Sequence, residues 1–124
     1  QPFRAHLGVL EDFYKGNKDK YNIILIYIEE AHAADIWNIG ESAGAINYSH
    51  KVIGDRIDCM KKLIDTYGVT IPIYADNMKN EFQTEYAGWP FRYYVVKDKR
   101  LLKIGQPDDS EFDICELMSF VKTL

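Results

Sequence analysis

Three ionisable side chains follow a strongly apolar segment near the start of the chain. Residues 22–28 read NIILIYI, and Glu29, Glu30 and His32 come directly after them. A strand with four consecutive Ile or Leu residues is apolar on both faces, which predicts a parallel or mixed sheet covered by helices. Open α/β sheets keep their chemistry at the carboxyl ends of the strands, so this acid-acid-x-His cluster is a candidate functional site.

Strand alternation is expected to separate the two carboxylates. Successive side chains point to opposite faces, so we expect Glu30 to face the site and Glu29 to face solvent. His32 is a candidate proton-transfer group, because the unperturbed pKa of imidazole is about 6.5 and a nearby carboxylate orients it and favours its charged form. His50, on the long loop 29–50, is a second candidate. Without Glu30 beside it, His32 is more often a loop or core histidine bonded to a carbonyl than a catalytic group. His50 could instead cap or precede the helix that follows.

Composition limits the class of protein and its partners. A chain of 124 residues with 47% hydrophobic content is long enough for one compact domain, residues 1–124, and too short for two. Acids and bases are interspersed around a net charge of -4, so nucleic acid is not an expected partner. Cys59 and Cys115 show no C-x-x-C or metal-ligand spacing, and we expect both to be buried small hydrophobes. Nucleotide, flavin and metal motifs are missing, so no cofactor is predicted.

The sequence also bears on membrane association and on whether the chain is part of a longer product. No apolar run approaches the ~20 residues of a membrane span. The chain opens at Gln1 without an initiator methionine. We therefore expect it to be part of a longer product, which leaves an upstream membrane anchor or targeting signal, and the cellular location, open.

Hydrophobic periodicity and turn residues predict alternating helices and strands. The expected helices are residues 2–14, 51–67 with Gly68 as C-terminal cap, 77–86, and a last helix that begins at Ser110, and the expected strands are 22–28, 70–75, 91–97 and 100–104. This order predicts a thioredoxin-like α/β fold: three α/β/α layers around a mixed sheet, with a C-terminal hairpin and a final helix, and with the first central strand missing from the sequence.

The thioredoxin-like order also places the nucleophile. In that fold a thiol or selenol lies at the start of the first helix, where backbone N–H groups and the helix dipole lower its pKa. The first predicted helix begins at the start of the chain. The nucleophile is accordingly expected just before Gln1.

Residues 27–37, YIEEAHAADIW, resemble the YIEEAHPSDGW signature of the iodothyronine deiodinases, with eight of eleven positions identical. These are thioredoxin-fold selenoenzymes that remove iodine from thyroid hormones. Residues 1–3, QPF, resemble the Pro-Pro-Phe that follows the selenocysteine of the family. Further positions fall in register with the family along the rest of the chain: His50, Asp55-Arg56, Asp76-x-Met78, Tyr86 and Arg92-x-Tyr94-Val95.

The resemblance implies a reductive dehalogenation or related redox reaction. A soft chalcogen takes the iodine, and a histidine delivers a proton to the ring carbon. The implied substrate is a small aromatic or peroxide-type molecule, and the implied reductant is a thiol. Pro90 stands where thioredoxin-like folds place a proline, commonly cis, facing the nucleophile. The implied catalytic residues are Glu30, His32 and His50, and the implied substrate or site-shaping residues are Asp35, Trp37, Pro90 and Arg92.

A non-catalytic alternative has its own support. A thioredoxin-like module without a nucleophile could be a structural or docking subunit of a larger assembly, because open strand edges must be paired or covered. A homodimer is compatible with either function. The large aromatic residues favour packing over a ligand cage: Trp37, Trp89, Tyr93 and Tyr94.

Overall fold

The computed structural model describes residues 2–30, 33, 35, 48–89, 91–105 and 114–124. Within these residues the helices are α1 (Pro2–Asn17), α2 (Ile53–Tyr67), α3 (Glu81–Tyr86) and α4 (Ile114–Val121). The strands are β1 (Leu25–Tyr27), β2 (Ile73–Ala75), β3 (Tyr93–Lys97) and β4 (Arg100–Gly105). The order of elements agrees with the prediction. The expected cap of the last helix, at Ser110, lies outside the described residues.

β1 and β2 are shorter than the apolar runs predicted. They pair in parallel only from Leu25 opposite Ile73 to Tyr27 opposite Ala75. The backbone N–H of Leu25 donates to the carbonyl of Pro72 at 2.9 Å. Pro72 has no N–H of its own to extend the ladder, so the strand pair ends there.

β3 and β4 form an antiparallel hairpin, as predicted. Its turn residues Asp98 and Lys99 both have positive φ, 51° and 64°, as a two-residue type I′ turn requires. The register shifts between Val95 and Val96, where the ladder carries an irregularity. Among the described residues the strands make two two-stranded sheets. The α/β class is thereby confirmed, while the single mixed sheet and its three layers stay a prediction.

The larger of two hydrophobic clusters among the described residues packs against both sheets. Buried side chains from three helices and from the segment before β2 meet in it, and Leu25 of β1 and Tyr93 of β3 pack against the same cluster. Burying one such aliphatic side chain contributes about 2 kcal/mol. The buried members of the cluster are Leu7, Leu10, Leu63, Val69, Ile71 and Ile114.

Both ends of α2 are fixed by local hydrogen bonds. The Asp55 carboxylate accepts hydrogen bonds from the N–H groups of Lys51 (2.9 Å) and Val52 (3.1 Å), which secures the first turn. Gly68 ends the helix in the left-handed conformation with φ 62°, and its N–H donates to the carbonyl of Ile64. The predicted cap at Gly68 is confirmed.

The two cysteines are less buried than predicted. Cys59 on α2 is half-buried, and Cys115 in the first turn of α4 is exposed. The prediction that both are buried is wrong, because α4 turns the neighbouring Ile114 toward the core and Cys115 away from it.

The described aromatic residues divide between core and surface. Tyr93 packs against the core, as predicted. Trp89 is 40% exposed, and its role in packing stays a prediction. Tyr94 lies edge-on to Tyr86 with ring centroids 5.2 Å apart. Trp37 lies outside the described residues. Over the part of the chain described here, no helix has both the length and the apolar character to cross a membrane.

Candidate functional site

Glu30 and His50 meet beside the carboxyl end of β1. Glu30 Oε1 lies 3.8 Å from His50 Nε2, and the two side chains are 14% and 1% exposed. The Tyr27 hydroxyl donates a hydrogen bond to the Glu30 carboxylate. The Tyr27 ring also lies near the imidazole, with centroids 6.2 Å apart. The strand therefore positions a carboxylate against a buried histidine that arrives from the loop before α2.

Arg56 supports the other side of the imidazole. It is 1% exposed, and its Nε donates a 3.0 Å hydrogen bond to His50 Nδ1. Its Nη1 donates to the backbone carbonyls of Asp76 (3.1 Å) and Asn77 (2.8 Å), which directly follow β2. The guanidinium thus links α2, the end of β2 and the histidine.

The turn after β2 is itself held by the Asp76 carboxylate. This buried side chain accepts hydrogen bonds from the N–H groups of Asn77 (2.9 Å), Phe82 (3.1 Å) and Gln83 (3.0 Å). Two of these donors belong to the first turn of α3, where backbone N–H groups lack helical partners. Asp76 therefore fixes the two carbonyls that orient Arg56.

The hydrogen bond from Arg56 defines the tautomer of His50. Because Nδ1 accepts it, the proton of the neutral imidazole is on Nε2. Nε2 is buried and has no hydrogen-bond partner among the described residues. Burial, and next the positive charge of Arg56, lower the pKa of His50, and they outweigh the opposing effect of Glu30. Glu30 favours the charged form of His50, as expected of a nearby carboxylate, although the net effect on the pKa is a decrease.

Cys59 completes the cluster. It follows Arg56 by three positions on α2, and its Sγ lies within 4.8 Å of ligand atoms on both Glu30 and His50. Burial and the charge of Glu30 raise the pKa of the Cys59 thiol, which keeps it protonated near neutrality. Sequence reasoning assigned no role to Arg56 or Cys59, although their i, i+3 spacing on a helix places both on one face.

Glu, His and Cys are also ligand types that Zn²⁺ accepts. A histidine that binds a metal through Nε2 normally donates its Nδ1–H to a carboxylate or carbonyl. Here Nδ1 of His50 instead faces the N–H of Arg56. The arrangement of these described residues fits hydrogen-bonding and proton chemistry better than metal coordination.

Asp35 stabilises the loop segment that carries His50. It accepts hydrogen bonds from the Ser49 hydroxyl and the Ser49 N–H (2.7 Å), and Lys51 Nζ lies 3.3 Å away. These hydrogen bonds, that of the Ser49 hydroxyl first, hold the pKa of Asp35 far below its usual range. Asp35 thus holds both residues that flank His50.

Glu29 and Glu30 have separate hydrogen-bond partners: Gln83 for Glu29 and Tyr27 for Glu30. Glu29 accepts a hydrogen bond from Gln83 Nε2 and is half-buried, so the expectation that it faces solvent is wrong. Arg92 lies beside Tyr94, whose hydroxyl donates to the carbonyl of Tyr86. The contacts described for Arg92 place it at this aromatic group and not at His50. Three predicted site residues lie outside the described residues: His32, Trp37 and Pro90.

Comparison with known proteins gives a consistent family. A family model described as iodothyronine deiodinase matches residues 2–124. The type I iodothyronine deiodinase of Xenopus laevis is 28% identical over 105 residues, which cover 85% of this chain and 40% of that protein. The type II iodothyronine deiodinase of Petromyzon marinus is 28% identical over 127 residues, covering 99% of this chain and 43% of that protein.

A third relative bears a different name. The thyroxine 5-deiodinase of Sparus aurata is 25% identical over 124 residues, covering 98% of this chain and 45% of that protein. The chain thus spans less than half the length of each of these relatives. The family model nevertheless matches almost every residue, and the site lies where the signature segment leaves β1. This chain belongs to the iodothyronine deiodinase family.

Proposed function

We propose that this chain is the redox domain of an enzyme that removes iodine reductively from an aromatic ring. The observation that supports the proposal is the half-buried cluster of Glu30, His50 and Cys59, in which the Nε2 side of the imidazole faces Glu30. Ionisable groups with shifted pKa values, as for His50 and Cys59, are typical of catalytic sites. In this chain they stand beside the segment that carries the family signature.

The proposed nucleophile is a thiolate or selenolate on the residue directly before Gln1. It attacks the iodine, and a chalcogen–iodine bond forms while the carbon–iodine bond breaks. The ring carbon keeps the electron pair and takes a proton, so that the carbon is reduced and the chalcogen oxidised. Two thiol molecules then reduce the chalcogen, becoming a disulfide and releasing iodide and protons.

In the proposed reaction, residues of this chain position the substrate and donate hydrogen bonds to it. His50 donates a hydrogen bond from its Nε2–H to the bound substrate, and Glu30, held by Tyr27, relays the proton that the ring carbon takes up. His32 is the proposed proton source for the ring carbon. The proposed site-shaping residues are Asp35, Trp37, Pro90 and Arg92, the first through its hold on Ser49 and Lys51.

The fold proposed for this reaction is thioredoxin-like. β1–β2 and β3–β4 would form two parts of one mixed sheet, which is supported by the packing of Leu25 and Tyr93 against the same core. The proposed substrate is an iodothyronine, since the names of the relatives include thyroxine. A thiol is the proposed reductant.

The test is iodide release from thyroxine by the full natural chain with dithiothreitol. We expect His50→Gln to lower kcat about 100-fold, the scale of a lost proton-transfer or donor group. Asp65→Asn, an exposed change on α2, is the control and should keep full activity. Mass spectrometry of the residues before Gln1 gives an independent check, since finding neither cysteine nor selenocysteine there would remove the proposed reaction.

A docking subunit is the second candidate function, and the β3–β4 hairpin favours it. Its apolar side chains are unusually open: Val96 is 58% exposed, Leu101 48% and Ile104 50%. Exposed apolar groups that cluster on one element are typical of interaction surfaces. Comigration of the native protein with a large complex, together with unchanged activity in His50→Gln, would favour this function over catalysis.

A further inference from the structure

Hydrogen bonds to the backbone hold the guanidinium of Arg56 in place beside His50. Its Nη1 is shared between the carbonyls of Asp76 and Asn77 at 3.1 and 2.8 Å. Those carbonyls belong to a turn that the Asp76 carboxylate ties to the start of α3. Because the side chain is also 1% exposed, it cannot swing away from the imidazole without leaving buried donors unpaired.

A charged His50 is incompatible with this arrangement. An imidazolium carries N–H groups on both ring nitrogens. Its Nδ1–H would point at the Nε–H of Arg56 across 3.0 Å, opposing donor to donor and cation to cation. Only the neutral ring with its proton on Nε2 keeps the hydrogen bond.

We infer that Arg56 is a positioning residue, which holds His50 neutral and directs its Nε2–H toward Glu30 and Cys59. The state of the imidazole follows from the geometry alone, whereas its use in catalysis rests on the proposed function. His50 then acts as a neutral hydrogen-bond donor and not as an imidazolium that gives up a proton. Some enzymes use a neutral imidazole to polarise a substrate group, and the positive amino terminus of a nearby helix keeps that imidazole uncharged.

The charged groups around His50 oppose each other. Glu29 and Glu30 after β1 and Asp55 on α2 favour its protonation, and Arg56 disfavours it. Burial raises the pKa of the Cys59 thiol, also on α2, so Cys59 stays protonated near neutral pH and adds no charge beside His50. Removing Arg56 leaves three carboxylates and no described cation in this set, so protonation of His50 becomes much easier.

Nuclear magnetic resonance of the unmodified protein tests the inference directly. With ¹⁵N-labelled histidine and arginine, the resonances of His50 are assigned by their loss in His50→Gln, which separates them from those of His6 and His32. We expect a pyrrole-type shift for Nε2, a pyridine-type shift for Nδ1, and a scalar coupling across the hydrogen bond between Arg56 Nε and His50 Nδ1. A protonated Nδ1 at neutral pH would overturn the inference, and so would a missing coupling.

A titration of variants supplies the second test. In Arg56→Met the midpoint of the His50 titration should rise by about one pH unit or more. Leu63→Ala removes a buried side chain from the same helix, destabilises the fold and should leave the midpoint unchanged. An unchanged midpoint in Arg56→Met would overturn the inference. Iodide release is measured separately, so failure of the proposed reaction in every variant would leave the imidazole result intact.

Discussion

Both carboxylate oxygens of Glu11 are bonded to Thr70. One accepts a hydrogen bond from the backbone N–H of Thr70 and the other from its hydroxyl, each at 2.7 Å, and the first also accepts from the N–H of Ile71 at 3.0 Å. Glu11 is 5% exposed in α1. Its contacts fix the segment that leads into β2, whose other end carries the carbonyls that orient Arg56.

Replacement of Glu11 by alanine should therefore destabilise the protein. The change leaves the buried N–H of Ile71 without its acceptor and removes two charge-assisted hydrogen bonds to Thr70. We expect the free energy of unfolding to fall by about 2 to 4 kcal/mol. Urea unfolding measures the loss, and Asp12→Ala, an exposed change on the same helix, is the control. Equal midpoints in the two variants would contradict the prediction.

The same carboxylate makes stability depend on pH. Burial raises the pKa of Glu11, but the hydrogen bonds from Thr70 and Ile71 outweigh it, and the net pKa is lowered. The group thus has a lower pKa folded than unfolded, where it is about 4.3. Its contribution is complete above about pH 5 and is lost as the pH falls through the folded pKa.

We therefore expect the free energy of unfolding to fall less on acidification in Glu11→Gln than in the unmodified protein. Glutamine keeps the size of the side chain but cannot lose a charge. Urea unfolding at several values between about pH 6 and pH 3 measures both slopes. Parallel slopes would show that Glu11 does not contribute to the acid sensitivity.

Local sequence signals predicted much of the fold. The end of α2 at Gly68 and the hairpin turn at Asp98 follow from capping and turn chemistry, which act between near neighbours. The lengths of β1 and β2 did not, because a strand extends only where a partner pairs with it. The apolar residues 22–28 alone could not show that β1 pairs with β2 only as far as Tyr27.

The charge of His50 could also not be predicted from the sequence. His50 is 20 positions from Glu30 along the chain, and Arg56, which donates to His50, is held by carbonyls of the turn after β2. Desolvation and the sum of these charges decide the pKa of the imidazole, and neither can be counted before the chain folds. The motif of carboxylates and a histidine therefore predicted that Glu30 belongs to the site, but it could not predict the combined effect of burial and Arg56 on the pKa of His50.

The two cysteines should react at different rates with an alkylating reagent. Burial raises the pKa of the Cys59 thiol and limits access to it, whereas Cys115 is exposed. Thiolate is the reactive form. We expect iodoacetamide near neutral pH to modify Cys115 well before Cys59 in the folded protein, as followed by peptide mass spectrometry. The control is the same reaction in urea, where the difference should disappear, and equal rates without urea would contradict the prediction.

Gly105 lies opposite Tyr93 in the hairpin, and the aromatic ring crosses the space above it. A Cβ atom at this position would overlap ring atoms of Tyr93, whereas a Cβ at Gly54 on α2 meets nothing within 4 Å. We expect Gly105→Ala to lower the free energy of unfolding by about 1 to 3 kcal/mol, the usual cost of overpacking. Gly54→Ala should be neutral or stabilising by up to about 1 kcal/mol through helix propensity.

The Tyr93 ring is the cause proposed for that loss, and a double-mutant cycle separates it from strain in the strand. Tyr93→Leu shortens the side chain, so the added methyl group of Gly105→Ala should cost less in that background. Thermal or urea unfolding of the four proteins gives the coupling energy between the two positions. A coupling near zero would mean that the ring moves aside freely, and the loss in Gly105→Ala would then have to come from the backbone of β4.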